Sequence, residues 1–251
     1  MESAEKKRKL YEDRTELVVK SNDLIRNTRY ELTEQEQKLI IFLISKISKD
    51  ETAIPTIQVR LREYCEVAGI EYSGGAISHI KKNIQEIADK SWWIPIKNQK
   101  QKLFRWIDTA EIDGETVEIS LSQSLTPYLV ELRKDFTKYS LMDVLVLRGK
   151  YTIRLYELFR SYLWQGYWIV DVDELRSIIN CDSYNAFKEF NRNVLKYSID
   201  EINGYTGLFI TYETIKFGRS VKQIKFKISE KMGWQNGVVV SHNISKRIKN
   251  G

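Results

Sequence analysis

Two stretches of this chain carry the same order of secondary-structure signals, and no other feature limits the fold as much. The first begins at Thr33, where Thr33-Glu34-Gln35-Glu36 has the form of a capping box. Leu39, Ile40, Phe42, Leu43, Ile44 and Ile47 follow, too many apolar positions for a thin stripe, so this helix is expected to be largely buried. Residues 54–61 read as a short strand and 61–68 as a helix stopped by Gly69, a residue suited to the left-handed position after a helix. After a turn at 71–75, Ile77, Ile80, Ile84 and Ile87 fall on one face of a second helix. Residues 92–96, 103–109 and 116–121 read as strands, with Asp113-Gly114 a hairpin turn. The order then restarts. Thr126-Pro127 opens a helix through about 133, 140–147 is a second short helix, and 151–164 is a long amphipathic one. Residues 167–170 form a strand, 171–174 cap a helix reaching 179, 180–185 turn, and 186–203 form a helix. Strands at 208–217 and 221–228 meet at Gly218-Arg219.

Aligned in this way, the segment 65–69 matches 176–180, and Tyr72 matches Tyr184, each in the turn before the second helix. Each half has a long helix, a strand, two helices around a turn and a basic hairpin. The fold expected is α+β: two tandem winged helix-turn-helix domains related by an internal repeat. The boundaries expected are a basic flexible arm at 1–14, a first domain at 15–125, a second at 126–230 and a flexible basic tail at 231–251. In such a unit two helices and a small sheet share one core and hold the last helix proud of the surface. That helix fits a major groove, and the hairpin beside it lies on the backbone or in the minor groove.

The formal charge of +6 on 251 residues is unevenly spread. Basic residues gather at 6–9, at 81–105, at 216–227 and in the tail at Lys246, Arg247 and Lys249. Asp108, Glu111, Asp113, Glu115 and Glu118 form an acidic hairpin between them. Charge separated in this way suits a protein with one face toward phosphate. The longest apolar run, 39–44, is far short of a membrane span, and the first 30 residues lack a signal-peptide core. A cytoplasmic protein without a membrane partner is therefore expected. The two cysteines, Cys65 and Cys181, do not suggest a disulfide framework, and two histidines cannot build a His-rich metal site. Gly149-Lys150 lacks the rest of a phosphate loop, and no His-hydrophobe-His triplet accompanies the tyrosines, as a metal-dependent DNA nickase would need. No cofactor, metal or catalytic residue is expected. The Trp92-Trp93 and Trp164/Trp168 groups read as core or interdomain packing.

Candidate DNA-binding residues follow from the two helix-turn-helix units. In the first they are Tyr72, Ser73, Ser78, Lys81, Lys82 and Gln85, with Lys97 and Lys100 on the basic hairpin. In the second they are Ser183, Tyr184, Asn185, Lys188, Asn191, Arg192 and Lys196, with Lys216, Arg219 and Lys222 on the wing. Lys188, Arg192 and Lys196 share one stripe at i, i+4, i+8, and Arg, Lys and Asn are the side chains that pair with base edges. Like charges at that spacing oppose helix stability by a few tenths of a kcal/mol (roughly), a cost that a bound polyanion offsets. The 56–61 strand and the acidic hairpin are candidate edges for pairing with a second copy. These residues alone leave open a transcriptional regulator or partition protein with no part in replication.

Several segments resemble the iteron-binding plasmid replication initiator (Rep) proteins: Leu17-Val-Val-Lys-Ser-Asn-Asp-Leu-Ile, Leu32-Thr-Glu-Gln-Glu-Gln-Lys-Leu-Ile, and Lys150-Tyr-Thr-Ile-Arg-Leu-Tyr-Glu-Leu. Residues 187–202, Ile215-Lys-Phe-Gly-Arg and Ile224-Lys-Phe-Lys-Ile extend the likeness, which runs from Leu17 to Ser229. The resemblance implies tandem winged-helix domains and initiation of theta-type plasmid replication. Monomers would bind directly repeated iterons in double-stranded origin DNA, help open an AT-rich stretch and recruit host helicase or initiator proteins. Dimers formed largely through the first domain would bind an inverted operator repeat and repress the initiator's own gene. The second domain would carry the stronger base reading.

Overall fold

The computed structural model describes residues 16–48, 51–95, 100–130, 132–232 and 234. Thr33 caps the long buried helix as its spacing predicts. Its hydroxyl accepts from the Glu36 amide at 3.3 Å, and the Glu36 carboxylate accepts from the Thr33 amide at 2.6 Å. This helix, α2 (Glu34–Ser45), is preceded by β1 (Leu17–Ser21) and α1 (Asn22–Asn27). After it come β2 (Ile57–Arg60), α3 (Leu61–Ala68) and α4 (Gly74–Asp89). Gly69 ends α3 at φ 71°, in the left-handed region where a side chain is disfavoured. Four strands follow: β3 (Ser91–Pro95), β4 (Gln101–Arg105), β5 (Ile107–Asp113) and β6 (Thr116–Leu121). The second half holds α5 (Thr126–Leu129), β7 (Phe136–Ser140), α6 (Leu141–Val146), α7 (Lys150–Tyr162), β8 (Tyr167–Asp171) and α8 (Val172–Ile178). It ends with α9 (Phe187–Phe190), a wider π-type turn (Asn191–Lys196), α10 (Tyr197–Tyr205), β9 (Leu208–Phe217) and β10 (Ser220–Glu230).

Sheet order makes the repeat explicit and corrects one part of it. The first sheet runs β2-β6-β5 and the second β8-β10-β9, all antiparallel. The hairpin equivalent to the basic β9–β10 wing is therefore the acidic β5–β6 hairpin. The basic hairpin expected to match it, β3–β4, is an inserted two-stranded ribbon. Alternation along a strand shows which face is buried but not which distant strand it joins, and only the pairing of β6 with β2 decides the matter. The helix expected through 133 stops at Leu129, and the chain then forms β7, which pairs with β1. The expected strand at 103–109 breaks at Trp106, whose indole is fully buried against Trp92 and Tyr30 with ring centroids 4.9 and 5.3 Å away. Trp92 and Trp168 are core residues as expected, but Trp93 and Trp164 are 56% and 78% exposed. Trp93 follows Trp92 in β3 and so faces the other way, and Trp164 lies in the turn after α7.

The halves share one continuous apolar core, and a knot of buried charge lies inside it. Lys20 of β1, 1% exposed, donates to Glu157 of α7 at 2.7 Å. Arg154 reaches the other Glu157 oxygen at 3.3 Å, the Tyr30 hydroxyl at 2.7 Å and the Ile25 carbonyl at 3.1 Å. The Tyr30 and Tyr139 hydroxyls also donate to Glu157. Burial opposes the charged carboxylate, yet Lys20 and Arg154 outweigh it and hold the Glu157 pKa below the usual glutamate range. Burial conversely pushes the Lys20 ammonium down. Two further links fasten α2 to the start of α7. The Gly149 amide donates to Glu34 at 2.6 Å, and Gln37 donates to the Lys150 carbonyl at 3.0 Å. Cys65 and Cys181 are buried free thiols, and among the described residues no helix is long and apolar enough to cross a membrane.

Glu157→Gln is expected to cost about 3–5 kcal/mol, because Lys20 and Arg154 lose a buried counter-charge. A depressed folded-state pKa contributes stability above the unfolded value, and that stability is lost as pH falls through the folded one. The wild-type chain should therefore lose stability below about pH 4.3, and Glu157→Gln should show a shallower acid limb. Urea unfolding at a series of pH values measures both, and equal acid slopes would contradict the assignment.

Candidate nucleic-acid interface

In the second module the candidate reading helix, which runs from α9 through the π-type turn into α10, is anchored by the buried residues Phe190, Val194, Leu195, Ile199 and Ile202, which leaves Lys188, Arg192 and Lys196 exposed. The π-type turn at Asn191–Lys196 widens the coil, so residues four apart come nearer to alignment, and such turns often mark functional positions. Arg192 leans on the neighbouring Asn193 at 3.2 Å. Lys196 pairs with Asp200 at 2.8 Å, a hydrogen bond that raises its pKa and offsets one of the three stripe charges. Asn191 is half-buried and accepts from the Tyr212 hydroxyl of β9 at 2.6 Å, which ties the helix to the base of the wing.

The turn before this helix meets the tip of the wing. A groove of about 470 Å³ is lined by Asp173 and Arg176 of α8, by Asn185 and Phe187, and by Lys216, Arg219 and Lys222 of the wing. Four cations face one acid there. Arg176, absent from the sequence-based candidates, reaches the Asn185 carbonyl at 3.1 Å and Asp173 at 3.3 Å. Its only signal in the sequence is a basic residue in the last turn of a helix, which also suits the helix dipole. Tyr184 is half-buried against the core, and Ser183 is exposed.

The first module presents a different surface. Ser78, Lys81, Lys82 and Gln85 are exposed along α4, with Ile80, Ile84 and Ile87 buried beneath them. Lys82 pairs with Glu86 at 3.5 Å. Ser73 caps α4 by accepting from the Ala76 amide at 3.2 Å. Tyr72 donates to Glu115 at the tip of the β5–β6 wing at 2.6 Å, with the Arg62 guanidinium 3.9 Å from its ring centre. Lys100 is exposed at the end of the inserted ribbon, and Lys97, like the basic arm and the tail beyond Trp234, lies outside the described residues. Where the second module has a cationic wing tip beside its reading helix, the first has Asp113, Glu115 and Glu111.

The sequence matches the Initiator Replication protein family in its WH1 part over residues 17–160 and the Initiator Rep protein WH2 part over residues 171–228. The chain belongs to the initiator Rep family. A replication initiation protein of Escherichia coli is 28% identical over 228 residues, covering 85% of this chain and 70% of that protein. A probable replication protein rep of Bifidobacterium longum (strain NCC 2705) is 28% identical over 105 residues, 41% of this chain and 35% of its own length. The Pi initiator protein, solved in complex with iteron DNA, superposes with a TM-score of 0.73 at 18% identity, covering 87% of this chain and 99% of that chain. The family is one of DNA-binding replication initiators, not enzymes, which separates initiation from the regulator and partition readings that the residues alone leave open.

The acidic first wing gives this initiator an asymmetric interface. Carboxylates beside a phosphate backbone are repelled, so the acidic β5–β6 hairpin is unsuited to the phosphate contact that a basic wing can make. Glu111→Lys and Asp113→Lys are expected to tighten binding to any duplex, steepening the salt dependence by about 0.9 log units for each additional phosphate neutralised. Fluorescence anisotropy across a salt series measures this, and an unchanged affinity and slope would place the first wing away from the DNA.

Proposed function

We propose that this initiator binds directly repeated double-stranded sites at a plasmid origin as a monomer, in the cytoplasm. Each module would sit in one of two successive major grooves of a repeat about 20 bp long, with about one turn of 10 bp for each module. The observation that carries the reading is the cationic groove joining Asn185 to Lys216, Arg219 and Lys222 beside the exposed Lys188 and Arg192. Phosphate contacts from this groove supply affinity, and Asn185, Lys188 and Arg192 supply sequence preference. Ser78, Lys81, Lys82 and Gln85 serve the same purpose more weakly, with Lys97 and Lys100 on nearby phosphates. Bound side by side on repeats, the monomers help open the duplex and recruit host helicase or initiator proteins. A dimer formed through the first module represses the initiator's own gene. Support for that interface comes from β2 and β5, which are both edges of the first sheet.

Arg192→Ala should cost about 1–3 kcal/mol and relax preference at one or two base pairs, whereas Lys222→Ala should weaken all sequences alike and lower the salt slope by about 0.9. Selection from a randomised duplex pool followed by footprinting separates the two. An Arg192→Ala chain that selects the same sequence as wild type would remove Arg192 from base reading. Sedimentation of the free and duplex-bound chain tests the dimer, and a monomer at every concentration would exclude it.

A further inference from the structure

The two faces of the second wing tip differ in chemistry. β9 alternates without interruption, so Leu208, Ile210, Tyr212 and Lys216 share one face while Phe209, Ile215 and Phe217 share the other. The Lys216 face forms one wall of the cationic groove; Phe217 lies on the opposite side. Phe217 is 64% exposed at the last position of β9, and the two-residue turn Gly218-Arg219 follows it. Gly218 sits at φ 63°, which makes the turn tight and holds Phe217 at the extremity of the hairpin. From Lys216 to Lys222 there is no acidic residue.

This arrangement fixes what Phe217 meets once a duplex is bound, and the inference rests on the duplex-binding reading above. With the reading helix in a major groove, the backbone strand bounding that groove runs between helix and wing, where Arg176, Lys216, Arg219 and Lys222 line the passage. On the far side of that strand lies the minor groove. On that reading the outer face of the wing tip would meet the minor groove, and Phe217 is the exposed aromatic ring on that face. We propose that Phe217 is a minor-groove wedge: its ring enters at a base step flanking the major-groove site, partly unstacks it and bends the duplex. Apolar wedges of this type kink DNA by about 20–90° toward the major groove, and they favour flexible pyrimidine–purine steps. Specificity would then extend to base pairs that no polar side chain of the reading helix reaches. Lys216, Arg219 and Lys222, which line the groove, hold the backbone against the wing while the ring enters, and Lys225, on the ring's own face of the hairpin, adds a further cation.

The test uses the full chain and the duplex that it selects from a randomised pool, with fluorophores at both duplex ends to report bending. Wild type should bend that duplex and enrich a pyrimidine–purine step in the flanking minor groove. Phe217→Ala should lose most of the bend and that enrichment while keeping the salt slope, and Phe217→Leu should retain both. Lys222→Ala should do the reverse, lowering the salt slope and keeping the bend. A Phe217→Ala chain that bends the duplex as wild type does, with the same flanking step, would overturn the wedge and leave duplex binding intact. A wild-type chain that selects no sequence at all would overturn duplex reading itself, and the wedge with it.

Discussion

The Glu157 carboxylate is removed from water and receives Lys20 from β1, Arg154 from its own helix, Tyr30 from the segment before α2 and Tyr139 from β7. A buried charge costs several kcal/mol (roughly) in lost hydration, and the cost is met only when its partners are held in place. The constraint works in both directions, because the two cations would be equally stranded without the carboxylate. β1 belongs to the start of the chain and α7 to its second half, so the knot ties these distant segments together. α10 rests on α7 through the Thr152–Ser198 hydroxyl pair at 3.0 Å, and α2 is fastened to the start of α7 by Glu34 and Gln37. Both reading helices are thus positioned from one seam.

From that seam the two modules present wings of opposite sign. The second wing brings Lys216, Arg219 and Lys222 to the turn before the reading helix; the first brings Glu115 to Tyr72 at the equivalent corner. Duplicated topology therefore does not mean duplicated electrostatics. One cationic and one acidic wing give the chain two electrostatically distinct ends. The stronger stripe, the wider π-type turn and the cationic groove all fall in the second module.

Much of this was legible from local patterns. The capping box at Thr33, the left-handed Gly69, the isoleucine face of α4 and the hairpin at Gly218-Arg219 depend on residues within a turn or two of each other, and all stand as the spacing predicts. The π-type turn, the pairing of β1 with β7 and the break at Trp106 were not legible. A π-type turn differs from an α-helix by one residue per hydrogen-bonded ring, and β1 and β7 are short strands more than a hundred residues apart. Nothing near Lys20, Arg154 and Glu157 in the chain signals that these charges are buried together.

The order of residues alone made this a twice-repeated helix, strand and hairpin protein with its basic residues gathered on particular elements. Periodicity and capping are local, and local contacts survive in a one-dimensional reading. Folding in three dimensions determined which hairpin is a wing, because a wing is defined by the strand it joins: β6 with β2, β10 with β8. It also determined that the first wing is acidic, that Arg176 lines the second groove, and that Phe217 stands on the opposite face of β9 from Lys216. Each of these depends on long-range pairing or on a strand's orientation within its sheet, which are settled only when the distant parts of the chain meet.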